Sequence, residues 1–147
     1  MNGDNTTKEL RENVVTDLRR GTLRLARRLR AERPAGALSA NKVLVLAYLN
    51  RAGQSTPGAI ADAERQRPQS LTRVFTELER EGLITRSPST EDRRASVLEL
   101  TPAGRGALSA DMADRDAWLA GALEELSEAE VELLGIAGRL MDRVARS

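Results

Sequence analysis

Between Pro68 and Leu100 the spacing of apolar residues changes once, and that change limits the folds open to the chain. Leu71, Val74, Phe75 and Leu78 stand at i, i+3, i+4 and i+7, the interval that puts all four on one face of a helix. Pro68 suits the first turn of such a helix, where a backbone N–H has no intrahelical partner in any case. Gly82 suits the position just past its end, where the backbone turns to positive φ. Beyond the glycine come two short strand-like runs, 83–87 and 96–100, separated by the polar tip "PSTEDRRA". The expected unit is a helix that leads directly into a two-stranded hairpin.

The rest of the chain reads as helices around that unit. In 7–31, Val14, Leu18, Leu25 and Leu29 recur at helical spacing among Arg19, Arg20, Arg24, Arg27, Arg28 and Arg30, and "ERPAGA" ends the run. Ser39 is placed to cap a second helix, with Leu38 and Val43 as its hydrophobic staple. Its segment "VLVLAYL" is apolar nearly all round, so it is expected to be the most buried helix. Thr56-Pro57 opens a short third helix, and "ERQRPQS" leads tightly into the fourth. Thr101-Pro102 caps a fifth helix running to about residue 123. Ser127 and Glu130 form a capping box for the last one, with Leu126 and Val131 as staple and a stripe of Val131, Leu134, Leu140, Met141 and Val144. Aromatic residues are 2 % of the chain (Tyr48, Phe75 and Trp118), so Leu, Val, Ile and Ala must fill the core, which suits packed helices better than a sheet sandwich. A chain of 147 residues is long enough for one such domain.

Missing residue types narrow the chemistry. The chain has no Cys and no His, which removes disulfides, thiolate ligands, the usual zinc ligands and the commonest general base. No Gly-rich phosphate loop is present, and no carboxylate pair stands out for acid–base work. An enzyme is not expected, nor a cofactor or a bound metal. No run of about 18 apolar residues occurs, and "MNGDNTTKEL" lacks the order of a signal peptide, so the expectation is a soluble cytoplasmic protein with no membrane partner. The net charge is only +1, but it is unevenly spread. Basic residues outnumber acidic ones 11 to 5 in 1–53, and acidic outnumber basic 9 to 5 in 101–147, so the two ends can pair within or between subunits. Lys8 and Lys42 are the only lysines among 23 basic residues, which points to GC-rich coding.

The order helix, helix, short helix, helix, hairpin, helix, helix makes 56–100 a helix-turn-helix followed by a two-stranded wing. Buried on one face, the fourth helix leaves Gln69, Ser70, Thr72, Arg73 and Thr76 turned away from the core. A major groove about 12 Å wide admits one helix, small polar residues let its backbone approach, and Arg73 can reach a phosphate or a guanine edge. The open first turn at Pro68 would face phosphates, where the helix dipole also favours negative charge.

The chain resembles, over essentially its full length, a MarR-family winged-helix transcriptional regulator. The likeness rests on "EDRRASVLELTPAGR" (Glu91–Arg105), which follows the family's D-x-R, strand and LT-x-x-G pattern, and on "LTRVFTELEREGLITR" (Leu71–Arg86), similar to its recognition helix and exit strand. The resemblance implies a mainly α fold with a small β-wing, in which 39–100 form the DNA-binding part and 7–38 and 101–147 are dimerisation helices. It implies a sequence-specific homodimer on an imperfect palindrome in double-stranded DNA, in the nucleoid, most simply a repressor relieved by a small aromatic or lipophilic ligand. The DNA-contacting set is then Arg67, Gln69, Ser70, Thr72, Arg73 and Thr76, with Arg94 in the minor groove, Arg93 at a phosphate and Asp92 orienting an arginine. An activator or architectural DNA binder without effector, or a winged-helix module for protein contacts, are the alternatives.

Some positions depart from the family pattern. Glu64 and Arg65 stand where an apolar residue and a glycine are usual, and Arg67-Pro68 replaces the common polar cap. Arg65 and Arg67 either add backbone contacts to DNA or pair with Glu64 or Asp62. Tyr48 and Trp118 either line an effector crevice with arginines of the first helix or pack the core, so no effector residues are assigned. Family members that sense peroxide or zinc use Cys and His, so any signal sensed by this chain is expected to be a reversibly bound organic molecule.

Overall fold

The computed structural model describes residues 3–90 and 95–145. Its elements run α1 (Gly3–Ala31), α2 (Ala40–Ala52), α3 (Pro57–Ala63), α4 (Pro68–Arg80), β1 (Ile84–Pro88), β2 (Ser96–Leu100), α5 (Pro102–Leu123) and α6 (Glu128–Ala145). The fold is mostly helical with one small antiparallel sheet, as the apolar spacing requires. No described helix is long and apolar enough to cross a membrane.

Hydroxyl caps set the helix starts. Ser39, Thr56 and Thr101 each accept a first-turn N–H, from Lys42, Ala59 and Gly104 respectively. At α6 the capping box is reciprocal: the Ser127 hydroxyl and N–H donate to Glu130 Oε2 at 2.7 and 2.9 Å, and Glu130 N–H returns to Ser127 Oγ at 3.4 Å. Both bonds from Ser127 hold the Glu130 carboxyl below its ordinary value of 4.5.

The core lies between α2, α3, α4, the hairpin and the start of α5. Val45, Leu46 and Leu49 of α2 meet Ile60 and Ala61 of α3, the full stripe Leu71, Val74, Phe75 and Leu78 of α4, and Ile84, Leu98, Leu100 and Leu108. Every α2 residue from Asn41 to Leu49 is at least half covered, in keeping with its all-round apolar run, and Leu38 and Val43 pack against the same core.

The first strand begins one residue later than its sequence suggests. Leu83 is taken up in closing α4: its N–H reaches Leu78 O at 2.9 Å and Gly82 N–H reaches Glu79 O at 3.0 Å, with Gly82 at φ 71°. The ladder then pairs Ile84 with Leu100 through to Pro88 with Ser96. A third short piece of backbone joins the sheet, because Ser55 exchanges hydrogen bonds with Leu98 at 3.0 and 2.8 Å.

Thr101 locks the hairpin to α5. Its hydroxyl donates to Gly82 O at 2.8 Å while accepting Gly104 N–H, and its own N–H reaches Leu83 O at 3.1 Å. Gly104 fits this junction because a Cβ there would stand 2.1 Å from Leu83 O.

The terminal helices are differently placed. No residue of α6 is buried, and Leu10, Val14, Val15, Leu18, Leu23 and Leu25 of α1 are all exposed. The two helices touch where Thr22 Oγ1 meets Met141 Sδ at 3.9 Å.

Candidate nucleic-acid interface

α4 presents two opposite faces, and the polar one is the candidate interface. Gln69, Ser70, Thr72, Arg73 and Thr76 are all exposed while Leu71, Val74, Phe75 and Leu78 anchor the helix from below. The hydroxyls of Thr72 and Thr76 donate back to the helix, to Pro68 O and Thr72 O, each at 3.1 Å. Their outward offering is therefore a methyl group and an oxygen acceptor, groups able to meet a thymine methyl or a base amino group.

The N-terminus of α4 is built unlike those of α2, α3, α5 and α6. Arg67 occupies the cap position in extended conformation and makes no side-chain cap bond, and Pro68 takes the first helical position. Ser70 N–H turns back to Arg67 O at 2.9 Å, and no hydroxyl or carboxylate caps this turn as one does in α2, α3, α5 and α6, so its remaining N–H groups and the helix dipole favour an anion. Arg67 is exposed beside them.

The turn before α4 reproduces a glycine geometry without glycine. Arg65 adopts φ 50°, the left-handed region, at the position where the family pattern has glycine. Glu64 pairs with Arg51 of α2 at 3.6 Å, and Arg51 lies over the Tyr48 ring at 5.6 Å. The turn is thus held from α2.

Charges along α4 form a connected group with α2. Arg73 Nε donates to Glu77 Oε1 at 2.8 Å, while the Arg73 side chain remains 89 % exposed. Lys42 Nζ, from α2, stands 2.7 Å from Glu81 Oε1 and 3.5 Å from Glu77 Oε2. The Arg73 hydrogen bond, with the charges of Arg73 and Lys42 behind it, holds the Glu77 carboxyl below its ordinary value of 4.5. An Arg73–Glu77 pair is visible in the sequence as an i, i+4 spacing, but Lys42 is remote in the chain and gave no signal. Asp92, Arg93 and Arg94 at the hairpin tip lie outside the described residues. At the hairpin base Arg86 bonds Glu79 at 3.2 Å and Ser96 at 2.8 Å.

A pocket of about 420 Å³ opens where α1, α2 and α5 meet. Leu29, Val43, Met112 and Leu119 line it with Arg30, Arg33 and Arg115. Asp111, 4 % exposed, braces its wall by accepting Leu38 N–H at 2.8 Å and Arg115 Nη2 at 2.7 Å. Arg33 Nη2 donates to Leu38 O, and the buried Nε atoms of Arg33 and Arg115 have no hydrogen-bond partner among the described residues. Neither Tyr48 nor Trp118 lines this pocket. Tyr48 stacks under Arg51, and Trp118 lies under Arg28 at 4.9 Å, so the two aromatics belong to separate places.

Residues 38–96 match the MarR family model. An HTH-type transcriptional regulator of Mycobacterium bovis is 34 % identical over 128 residues, covering 87 % of this chain and 90 % of its own. The HTH-type transcriptional repressor MdtR of Bacillus subtilis is 33 % identical over 90 residues, 61 % of this chain and 58 % of its own. A crystal structure from Pseudomonas aeruginosa, of a protein assigned to transcriptional regulation, superposes with a TM-score of 0.74 at 34 % identity, covering 95 % of this chain and 97 % of that one. These relatives and the fold are those of DNA-binding regulators and not of enzymes. With a polar-faced helix set beside a hairpin on a helical scaffold, the chain belongs to the MarR family of winged-helix transcriptional regulators.

Proposed function

We propose that the protein is a homodimeric repressor of transcription that acts in the cytoplasm, on nucleoid DNA, and inserts α4 into the major groove. The observation that carries this reading is the division of α4, with four apolar residues buried and Gln69, Ser70, Thr72, Arg73 and Thr76 exposed on the other side. Arg67 and the uncapped first turn are suited to a flanking phosphate. The hairpin tip, with Asp92, Arg93 and Arg94, extends the contact to the adjacent minor groove, whose negative potential attracts arginine.

Exposed apolar side chains support the dimer. Leu18, Leu25 and Leu29 of α1 and Leu134 and Met141 of α6 line a groove of about 500 Å³. Apolar surface of this extent favours a partner, and a second copy brings the complementary helices. Two recognition helices set about 34–36 Å apart then meet successive turns of one DNA face, which calls for an imperfect palindrome. Similarity to the repressor MdtR supports repression as the outcome. The arginine-rich pocket between α1, α2 and α5 suits a small aromatic carboxylate, its ring against Leu29, Val43 and Met112 and its charge against Arg30, Arg33 or Arg115.

One titration tests the whole reading. The wild-type protein and Arg73→Ala are titrated onto the duplex upstream of its own gene, at two salt concentrations, with and without salicylate. The expected result is salt-dependent binding as a dimer, weakened by salicylate and weakened by about 1–3 kcal/mol in Arg73→Ala. Wild-type affinity in that variant would remove Arg73 from the interface, and salt-independent or absent DNA binding would remove the repressor.

A further inference from the structure

We propose that Glu77 determines DNA specificity by fixing the Arg73 guanidinium end-on toward the groove, a proposal that rests on the reading of α4 as the groove-reading helix. An arginine can grip O6 and N7 of guanine side-on, through Nε and one terminal nitrogen, or end-on, through both terminal nitrogens. Arg73 Nε is already given to Glu77 Oε1 at 2.8 Å, which closes the side-on grip. The terminal nitrogens remain on a side chain that is 89 % exposed.

A pair of surface charges alone would hold little. Glu77, however, is braced from a second element. Its other oxygen lies 3.5 Å from Lys42 Nζ, and Lys42 is only 14 % exposed and bound to Glu81 at 2.7 Å. The carboxylate that orients Arg73 is therefore tied to the α2 scaffold, and the orientation is in place before DNA arrives.

Glu77 also repels DNA, since a carboxylate beside phosphates disfavours every sequence alike. Its benefit reaches only a duplex with guanine under Arg73, so the difference between right and wrong DNA widens. Without Glu77 the guanidinium is free to turn to phosphate oxygens, which carry no sequence information. General affinity then rises while discrimination falls.

The test uses the duplex that the wild-type protein selects from a random-sequence pool, the same duplex with 7-deazaguanine at the guanine it protects, and a shuffled duplex of equal length. Glu77→Ala is expected to bind the shuffled duplex more tightly, with a steeper salt dependence, and to lose roughly tenfold of its preference for the selected duplex. The 7-deazaguanine substitution, which weakens wild type, is expected to leave Glu77→Ala nearly unaffected. Glu77→Gln keeps an oxygen for Nε, and is expected to gain general affinity yet retain most of the preference. Both variants are compared at equal folded fraction by circular dichroism. If Glu77→Ala tightens selected and shuffled duplexes equally, Glu77 acts by repulsion alone and the proposal is overturned with the α4 reading intact. If Arg73→Ala leaves the preference unchanged, Arg73 reads no base, and the proposal falls together with that part of the reading.

Discussion

α4 and α6 carry apolar stripes of the same period, yet their surroundings are opposite. Leu71, Val74, Phe75 and Leu78 of α4 are between 0 and 9 % exposed, whereas Val131, Leu134, Leu140 and Val144 of α6 are between 36 and 63 % exposed. The period of a stripe therefore tells which residues share a face, and not what covers that face. In α4 the cover is α2, α3 and the hairpin of the same chain. In α6 the chain provides only a partial cover, from α1, which itself leaves Leu18 and Leu25 exposed, and at its end from the α2–α3 side, where Asp142 and Ala145 face Tyr48 and Arg51 across a pocket. The helix-turn-helix and hairpin are covered within the one chain, while the terminal helices leave apolar surface exposed.

The largest effect that separates the two regions is expected from a pair of leucines. Leu46→Ala, at a site with no exposure, should cost about 2–5 kcal/mol at every protein concentration, read from denaturant melts. Leu134→Asp should instead weaken self-association in sedimentation, with an effect on melting that depends on protein concentration. A concentration-independent loss of the same size in Leu134→Asp would erase the contrast. Gly104→Ala probes the junction between the regions and is expected to cost about 1–3 kcal/mol, because the added Cβ stands 2.1 Å from Leu83 O and 2.7 Å from Leu100 Cδ1. A melt unchanged by that methyl group would mean that α5 can shift freely against the hairpin.

The smallest expected effect is on α6 alone. Glu130 is held below its ordinary value, so its support of the helix is fully present above about pH 4.5 and fades as the pH falls through the lowered value. Helical signal in circular dichroism should therefore drop on acidification, and Glu130→Gln should remove that component while leaving the rest of the acid titration in place. Identical acid profiles for the two proteins would assign no such role to the capping box.

Features that depend on near neighbours in sequence were legible. Ser39, Thr56, Thr101 and the Ser127–Glu130 box all cap the helices their patterns indicate, and the α4 stripe is buried in full. The start of β1 was misplaced by one residue because Leu83, though apolar, completes the closure of α4. Contacts between distant residues left no trace in period or spacing. Lys42 reaching Glu77 and Glu81, Ser55 joining Leu98, and Arg30, Arg33 and Arg115 converging on one pocket all follow from how helices cross. Arg65 shows the limit from another side. Where the family pattern has glycine, the chain keeps the positive φ and places an arginine there, at some conformational cost.

The single bridge between Ser55 and Leu98 has a mechanical consequence. It joins the link between α2 and α3 to the inner strand of the hairpin, while Thr101, just past the end of that strand, ties the hairpin base to the turn after α4. A ribbon pinned at one root would swing; pinned on both sides, its base has almost no independent degree of freedom relative to α4. The reach from α4 to the hairpin is then a fixed length, like the jaw setting of a caliper. In a dimer the adjustable coordinate would be the angle between protomers, and natural sites would tolerate variation in half-site spacing better than variation within a half-site.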